Sequence, residues 1–444
     1  MPFNPFSEKP VCIENTFMDW NKLYPRPYQK ECTDPYTKCR IVLMNGTEFE
    51  AQWFSRNFSR HCTDNDLRRE LALVRRVEQQ QQKRISCLKP KDETILEHTI
   101  TYEQVAVDLT SALAKMENDC NVLNALNAAL LEDFDHLYRY ANLLHMEYGI
   151  YPEKLVGGYT EMTPGRPTIS EHRHPYDSIL KYTNNSSTSL QTKLNINIIT
   201  AAEQQTMNYY MNVAPFYNVS DLGRRLYQEI GMIEEQHVSQ YESLKDTRTT
   251  LLEDLLMHEY TECYLYYSCM QTEVDPYIRC IWEECLTQEI AHLHKAAALL
   301  AKYEKKDYQQ VLGCDGTFPS ILKFGENIEY VRKVLQTTVG NTHELECIVP
   351  LHTLPDNDRF FRYQMTVNTP VDSVASHCVI DKHIQCFGTD YRYEVAPNPV
   401  CKLQNRKCDN TTLGRVIHET PEKYSVCGTT ADNCRCDLTK HCSC

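Results

Sequence analysis

Glu234 and His237, in the stretch IEEQHVSQY, stand three residues apart in a segment whose apolar residues recur at helical spacing. On a helix three residues is a rise of about 4.5 Å and an offset of about 60° from a full turn, so both side chains leave one face and can reach one ligand. The same spacing recurs in QEIAHLH, with Glu289 and His292, and in LEDFDHLYRY, with Asp133 and His136. One helix earlier, each pair is preceded by a lone acid on an apolar stripe: Glu259 in LMHEYTECYLYY, Glu103 in ITYEQVAVDL and, for the first pair, Glu203 in ITAAEQQTMNYY. In chain order the separation from lone acid to paired acid is 30, 31 and 30 residues, which marks an internal repeat. A single pair at this spacing is ordinarily a solvated helix face, but three in matched positions point to metal ligation.

The stripes place these acids inward. Leu226, Ile230, Glu234, His237 and Tyr241 fall on one face, as do Ile278, Trp282, Cys285, Glu289, His292 and Ala296. The midpoint between the acids of each hairpin falls in a turn-like segment, ENDCN, PFYNVSD or TEVDP, so opposing acids share one level. Facing buried carboxylates cost several kcal/mol apiece unless they are protonated, paired or bound to metal, and imidazoles at the same level favour metal. Tyr209, Tyr210, Tyr266 and Tyr267 lie near the lone acids, as core residues or as side chains that relay electrons or hydrogen-bond the ligands.

Six segments with helical spacing carry these residues: 93–117, 120–148, 191–215, 221–244, 248–272 and 276–304. Between the second and third lies loop chemistry, GGYTEMTPGRPTISEHRHPYD, with His172 and His174 expected on a surface loop. Asn45-Gly46 in CRIVLMNGTEFEAQWF predicts a β-hairpin, followed by a polar helix from Asn65. Beyond residue 310 the helical period fades, and RFFRYQMTV and YRYEV suggest strands. The expected organisation is a hairpin-plus-helix segment at 1–90, a helical bundle at 91–305, and a Cys-rich region of mixed structure at 306–444 with a flexible tail from about 427.

The net charge of −14 and the lack of a large Lys/Arg block exclude phosphate-backbone tracking, so no nucleic-acid partner is expected. The start, MPFNPFSEKPVC, has no signal-peptide pattern and no apolar run reaches bilayer length, so a cytoplasmic chain without a membrane partner is expected. Of 21 cysteines, eleven lie between Cys314 and Cys444, and the two C-x-C pairs of the tail could take soft metal or cross-link neighbouring chains. The expected assembly is a homo-oligomer, with disulfide links through that tail.

One Glu from each of two helices plus a Glu-x-x-His from each of two others is the di-metal carboxylate arrangement of helix bundles. Over about 93–305 the sequence resembles the ferritin-like superfamily, and rubrerythrin-like proteins most closely; Glu259 and Glu262 in HEYTEC strengthen the likeness. The resemblance implies a mainly α, ferritin-like bundle of three helical hairpins holding two iron ions, with two manganese ions as the alternative. Its implied ligands are Glu203, Glu234, His237, Glu259, Glu262, Glu289 and His292, with Glu103, Asp133 and His136 as a weaker set. Glu234 and Glu289 would bridge, and Glu262 would exchange with a neighbouring ligand during turnover, the catalytic role. The implied activity is an oxidoreductase acting on peroxide or dioxygen in oxidative stress, with an electron donor that is not identified. A rubredoxin-type site is missing, since the sequence has no C-x-x-C. A dimanganese catalase-like enzyme and a Cys-cross-linked, spore-coat type structural protein are the alternatives. Strict Glu-x-x-His selects the second and third hairpins for the principal site, whereas the long link at 149–190 would suit the first and second.

Overall fold

The computed structural model describes residues 3–166, 171–370, 373–388 and 392, and is mainly helical. Eight long helices form four antiparallel hairpins: α1 (Pro35–His61) with α2 (Asn65–Ser86), α3 (Ile95–Met116) with α4 (Cys120–Tyr148), α5 (Leu190–Phe216) with α6 (Asp221–Ser243), and α7 (Leu251–Thr272) with α8 (Pro276–Glu304). The second helix of each hairpin starts at a side-chain cap, Asp64, Asp119, Ser220 or Asp275, which accepts from backbone N–H groups that the helix leaves unpaired. After the bundle come α9 (Ile328–Thr338), a two-stranded antiparallel sheet of β1 (Asn341–Glu344) and β2 (Cys347–Pro350), then α10 (Arg359–Val367) and α11 (Ala375–Phe387). The main apolar core runs from Tyr28 to Val379 and takes in residues from the first 90 and from the segment after 305, while Leu351, Leu354, Phe360 and Phe361 form a small cluster of their own.

Two strand expectations are corrected. Asn45-Gly46 lies inside α1, which starts at Asp34, whose carboxylate accepts from Tyr36 N–H, followed by Pro35 in the first turn. The Asn-Gly pair is a helix crossing rather than a turn. A Cβ on Gly46 would come within 3.0 Å of the Gln205 side chain, and Asn45 donates to that same side chain. RFFRYQMTV is α10, capped by Asp358, and YRYEV apart from Arg392 lies outside the described residues, as does the tail from 427.

The hairpins are four rather than three, and they belong to a duplication. Helices α1 and α5 have 27 residues each, α3 and α7 have 22, and α4 and α8 have 29. Thr94 with Glu97 and Thr250 with Glu253 form equivalent capping boxes. Glu117 ends α3, accepting from the next two backbone N–H groups and from the Thr192 hydroxyl; Glu273 does the same after α7, with Thr37 as the hydroxyl donor. All these residues correspond at an offset of 155 or 156 positions. The chain is therefore two four-helix halves, joined by the segment 149–189. Among the described residues no helix is long and apolar enough to cross a membrane.

Candidate metal centre

The hairpins converge in pairs, each pair taking one hairpin from each half. Between α3/α4 and α5/α6 lie Glu103, Asp133, His136, Glu203, Glu234 and His237, none more than 1% exposed. Ligand atoms of Asp133, Glu203, Glu234 and His237 lie within 4.8 Å of one another, and so do those of Glu103, His136 and Glu234. Glu234 is common to both groups: one oxygen is 3.0 Å from His136 Nδ1 and the other 3.3 Å from His237 Nδ1. His237 Nδ1 is also 3.1 Å from Asp133 and 3.7 Å from Glu203. Both oxygens of Asp133 and Glu203, one oxygen each of Glu103 and Glu234, and Nδ1 of His237 have no hydrogen-bond partner. So many orphaned ligand atoms around one point fit a bound cation, which would satisfy them together.

Electrostatics point the same way. Burial, reinforced by neighbouring carboxylates, pushes Glu103 and Glu203 well above the usual carboxylate range. Burial pulls the imidazoles down, but surrounding carboxylates outweigh it, raising His136 to about 10 and His237 well above its usual value. Protons must be shared around the cluster when no cation balances it.

The imidazole nitrogens that face away from the cluster have acidic neighbours. His237 Nε2 donates to Glu132 at 2.8 Å, and His136 Nε2 lies 3.9 Å from Glu171. Glu132 is bound by the buried Arg166 and Arg173; Glu171 accepts from both terminal nitrogens of the Arg139 guanidinium at 3.0 and 2.9 Å. Burial raises the Glu132 carboxyl, but Arg173 and His237 prevail and hold it well below the ordinary range. Such partners fix which ring nitrogen is free to ligate. Tyr210 donates to Glu103 at 2.5 Å, whereas Tyr209 stacks on Tyr102 and Tyr267 on Phe3.

Glu132 escapes a search by spacing because it is one position off the ligand face. Arg166, Glu171 and Arg173 escape because they sit in a Pro- and Gly-rich segment that reads as surface loop. That expectation is corrected, for all three are fully buried; the signal was three charged residues in a link between acid-bearing helices. His174 stays outside the cluster, accepting from Tyr176 N–H.

Glu259, Glu262, Glu289 and His292 do not join these ligands, which corrects the pairing of the second and third hairpins. They lie between α7/α8 and α1/α2, where Glu48 and Glu78 meet them. Although α6 and α7 are joined by a short link, they make no extensive contact; α7 instead packs on α1, and α8 on α2. Glu48 and Glu78, 30 residues apart, are the fourth copy of the repeat, with Gln81 in the histidine slot. Tyr266 donates to Glu48. Comparison of the chain with family models, with curated proteins and with solved structures found no match.

Proposed function

We propose that the chain is a di-metal carboxylate oxidoreductase of ferritin-like architecture, with its metal pair held by Glu103, Asp133, His136, Glu203, Glu234 and His237. The observation that carries this reading is Glu234, shared by two ligand groups in which both oxygens of Asp133 and Glu203 and one oxygen of Glu103 have no hydrogen-bond donor. Four carboxylates and two imidazoles without a thiolate suit iron, and suit manganese as the second choice. When bound, such a pair supplies two-electron exchange with peroxide or dioxygen.

The residues around it hold and insulate. Glu234 faces both imidazoles and would be the carboxylate shared by the two ions, while Asp133 and Glu203 converge on the His237 side and Glu103 on the His136 side. Glu132 holds the Nε2 proton of His237, leaving Nδ1 free to ligate. Arg173 and His237 hold the Glu132 carboxyl well below its ordinary range, and Arg139 pairs with Glu171. Tyr210 fixes one oxygen of Glu103 and carries the only hydroxyl donating to that carboxylate among the described residues.

The test is metal content together with peroxide consumption in the full chain purified under argon. Replacing His237 by Ala is expected to lower both, and replacing His174 by Ala neither. Equal metal content in the two variants would overturn the reading.

A further inference from the structure

We propose that Glu48, Glu78, Glu259, Glu262, Glu289 and His292 form a second metal centre, richer in carboxylates than the first and reached from an acidic cavity. It stands whether or not the first centre is loaded. Each of the six is at most 1% exposed. Ligand atoms of Glu78, Glu259 and His292 lie within 4.8 Å of one another, and so do those of Glu259, Glu262 and Glu289. Glu259 is common to both groups, as Glu234 is in the other cluster, and two groups sharing one carboxylate are the ligand pattern of an ion pair.

Two observations separate this cluster from a chance gathering of acids. Both oxygens of Glu262, one oxygen each of Glu48, Glu78 and Glu259, and Nε2 of His292 are buried without a hydrogen-bond partner. The duplication also superposes the clusters in sequence: Glu259, His292 and Glu78 are the counterparts of Glu103, His136 and Glu234. His292 turns Nδ1 toward Glu289 at 3.1 Å and Glu259 at 3.8 Å, whereas His136 turns Nδ1 toward Glu234, so each imidazole faces its cluster through the same nitrogen.

The differences set the chemistry. Gln81 stands where the other half has His237, and its amide donates to Glu289 at 2.5 Å. Glu262 stands where the other half has Ala106. One imidazole is lost and one carboxylate gained, which moves the preference toward hard, oxygen-seeking divalent ions such as Mn2+ and away from Zn2+. Access differs as well. His258 lies 3.7 Å from Glu262 and 3.0 Å from Glu50, and with Glu50 it lines a cavity of about 260 Å³. Glu50, Glu242, Asp246 and Asp254 line that cavity against Lys193 and Lys245, an excess of negative charge that draws in cations.

Metal-free full-length chain titrated with Mn2+ under argon tests this, read by bound-ion stoichiometry, electron paramagnetic resonance and anomalous scattering at the manganese edge. The wild type is expected to take about four ions per chain, two at each cluster. Glu259→Gln with Glu289→Gln is expected to halve that number and to leave scattering only beside Glu234; Glu203→Gln with Glu234→Gln is expected to leave it only beside Glu259. Should the first double variant fail to fold, the wild-type map decides alone. Scattering beside Glu234 with none beside Glu259 overturns the second centre, whereas scattering only beside Glu259 upholds it and overturns the placement of the first.

Discussion

The two clusters descend from one sequence pattern yet are finished differently. In the first, Glu132 and Glu171 stand behind the two imidazoles, each paired with buried arginine. In the second, Nε2 of His292 has no partner, the other histidine slot holds Gln81, and Glu262 adds a carboxylate next to a cavity. The ligand level is set by the repeat, whereas the surrounding shell depends on what each half packs against. On the proposed reading the first cluster holds its side chains fixed, and the second is open to an entering cation.

The largest effect expected on this contrast is from Glu234→Ala. As the residue common to both groups of the first cluster, its loss should empty that cluster while the second keeps its ions, so metal per chain should fall by about half. A complete loss of metal would show that the clusters are not independent. Arg173→Ala should follow, because it leaves Glu132 buried with a weakened partner set. Breaking a buried pair costs about 3–5 kcal/mol, to be read as a lower midpoint in urea unfolding. Among the described residues no arginine forms an ion pair with the second cluster, and Arg75→Ala, beside Ser55 and acting on Glu78 only through its charge, should cost far less.

Glu132→Gln is a finer probe. It keeps the volume but weakens the acceptor for His237 Nε2, so metal affinity at the first cluster should fall about 10- to 100-fold and that at the second should not change. Competition with a chelator measures both. Stability of the metal-free protein should also depend on pH in a defined direction. Burial raises Glu103, Glu203, Glu48, Glu259 and Glu262 above their unfolded value of 4.5. The folded chain then holds protons that the unfolded chain releases, so stability falls as pH rises above 4.5, and metal should flatten that slope. Thermal unfolding from pH 5 to 8, with and without Mn2+, shows whether it does. The smallest change expected is from Gln81→His, which restores the missing imidazole and should shift the second cluster modestly toward Zn2+.

The six helices from Ile95 to Glu304 were legible because their apolar stripes are long and their caps strong. The inward acids were legible because three copies repeat at one spacing. Helix α1 was not, since CRIVLM is a short β-prone run and Asn45-Gly46 has the composition of a hairpin turn, while the reason for the glycine is Gln205 on a distant helix. Misreading α1 hid the fourth copy, Glu48 with Glu78 and Gln81. It also hid the duplication, and with it the fact that hairpins from different halves converge. Spacing along a helix shows which side chains share a face; it carries no information about which helix the next short link leads to. Arg166, Glu171 and Arg173 were illegible for a related reason, because a loop's burial depends on what closes over it.

The most direct test of the central claim is an anomalous difference map at the iron edge, from crystals of the full chain loaded with Fe2+ under argon. Two peaks flanking Glu234, one beside His136 Nδ1 and the other beside His237 Nδ1, are the expected result. A map with no peak beside Glu234, from protein whose His136, Glu203 and His237 side chains are ordered, would contradict it.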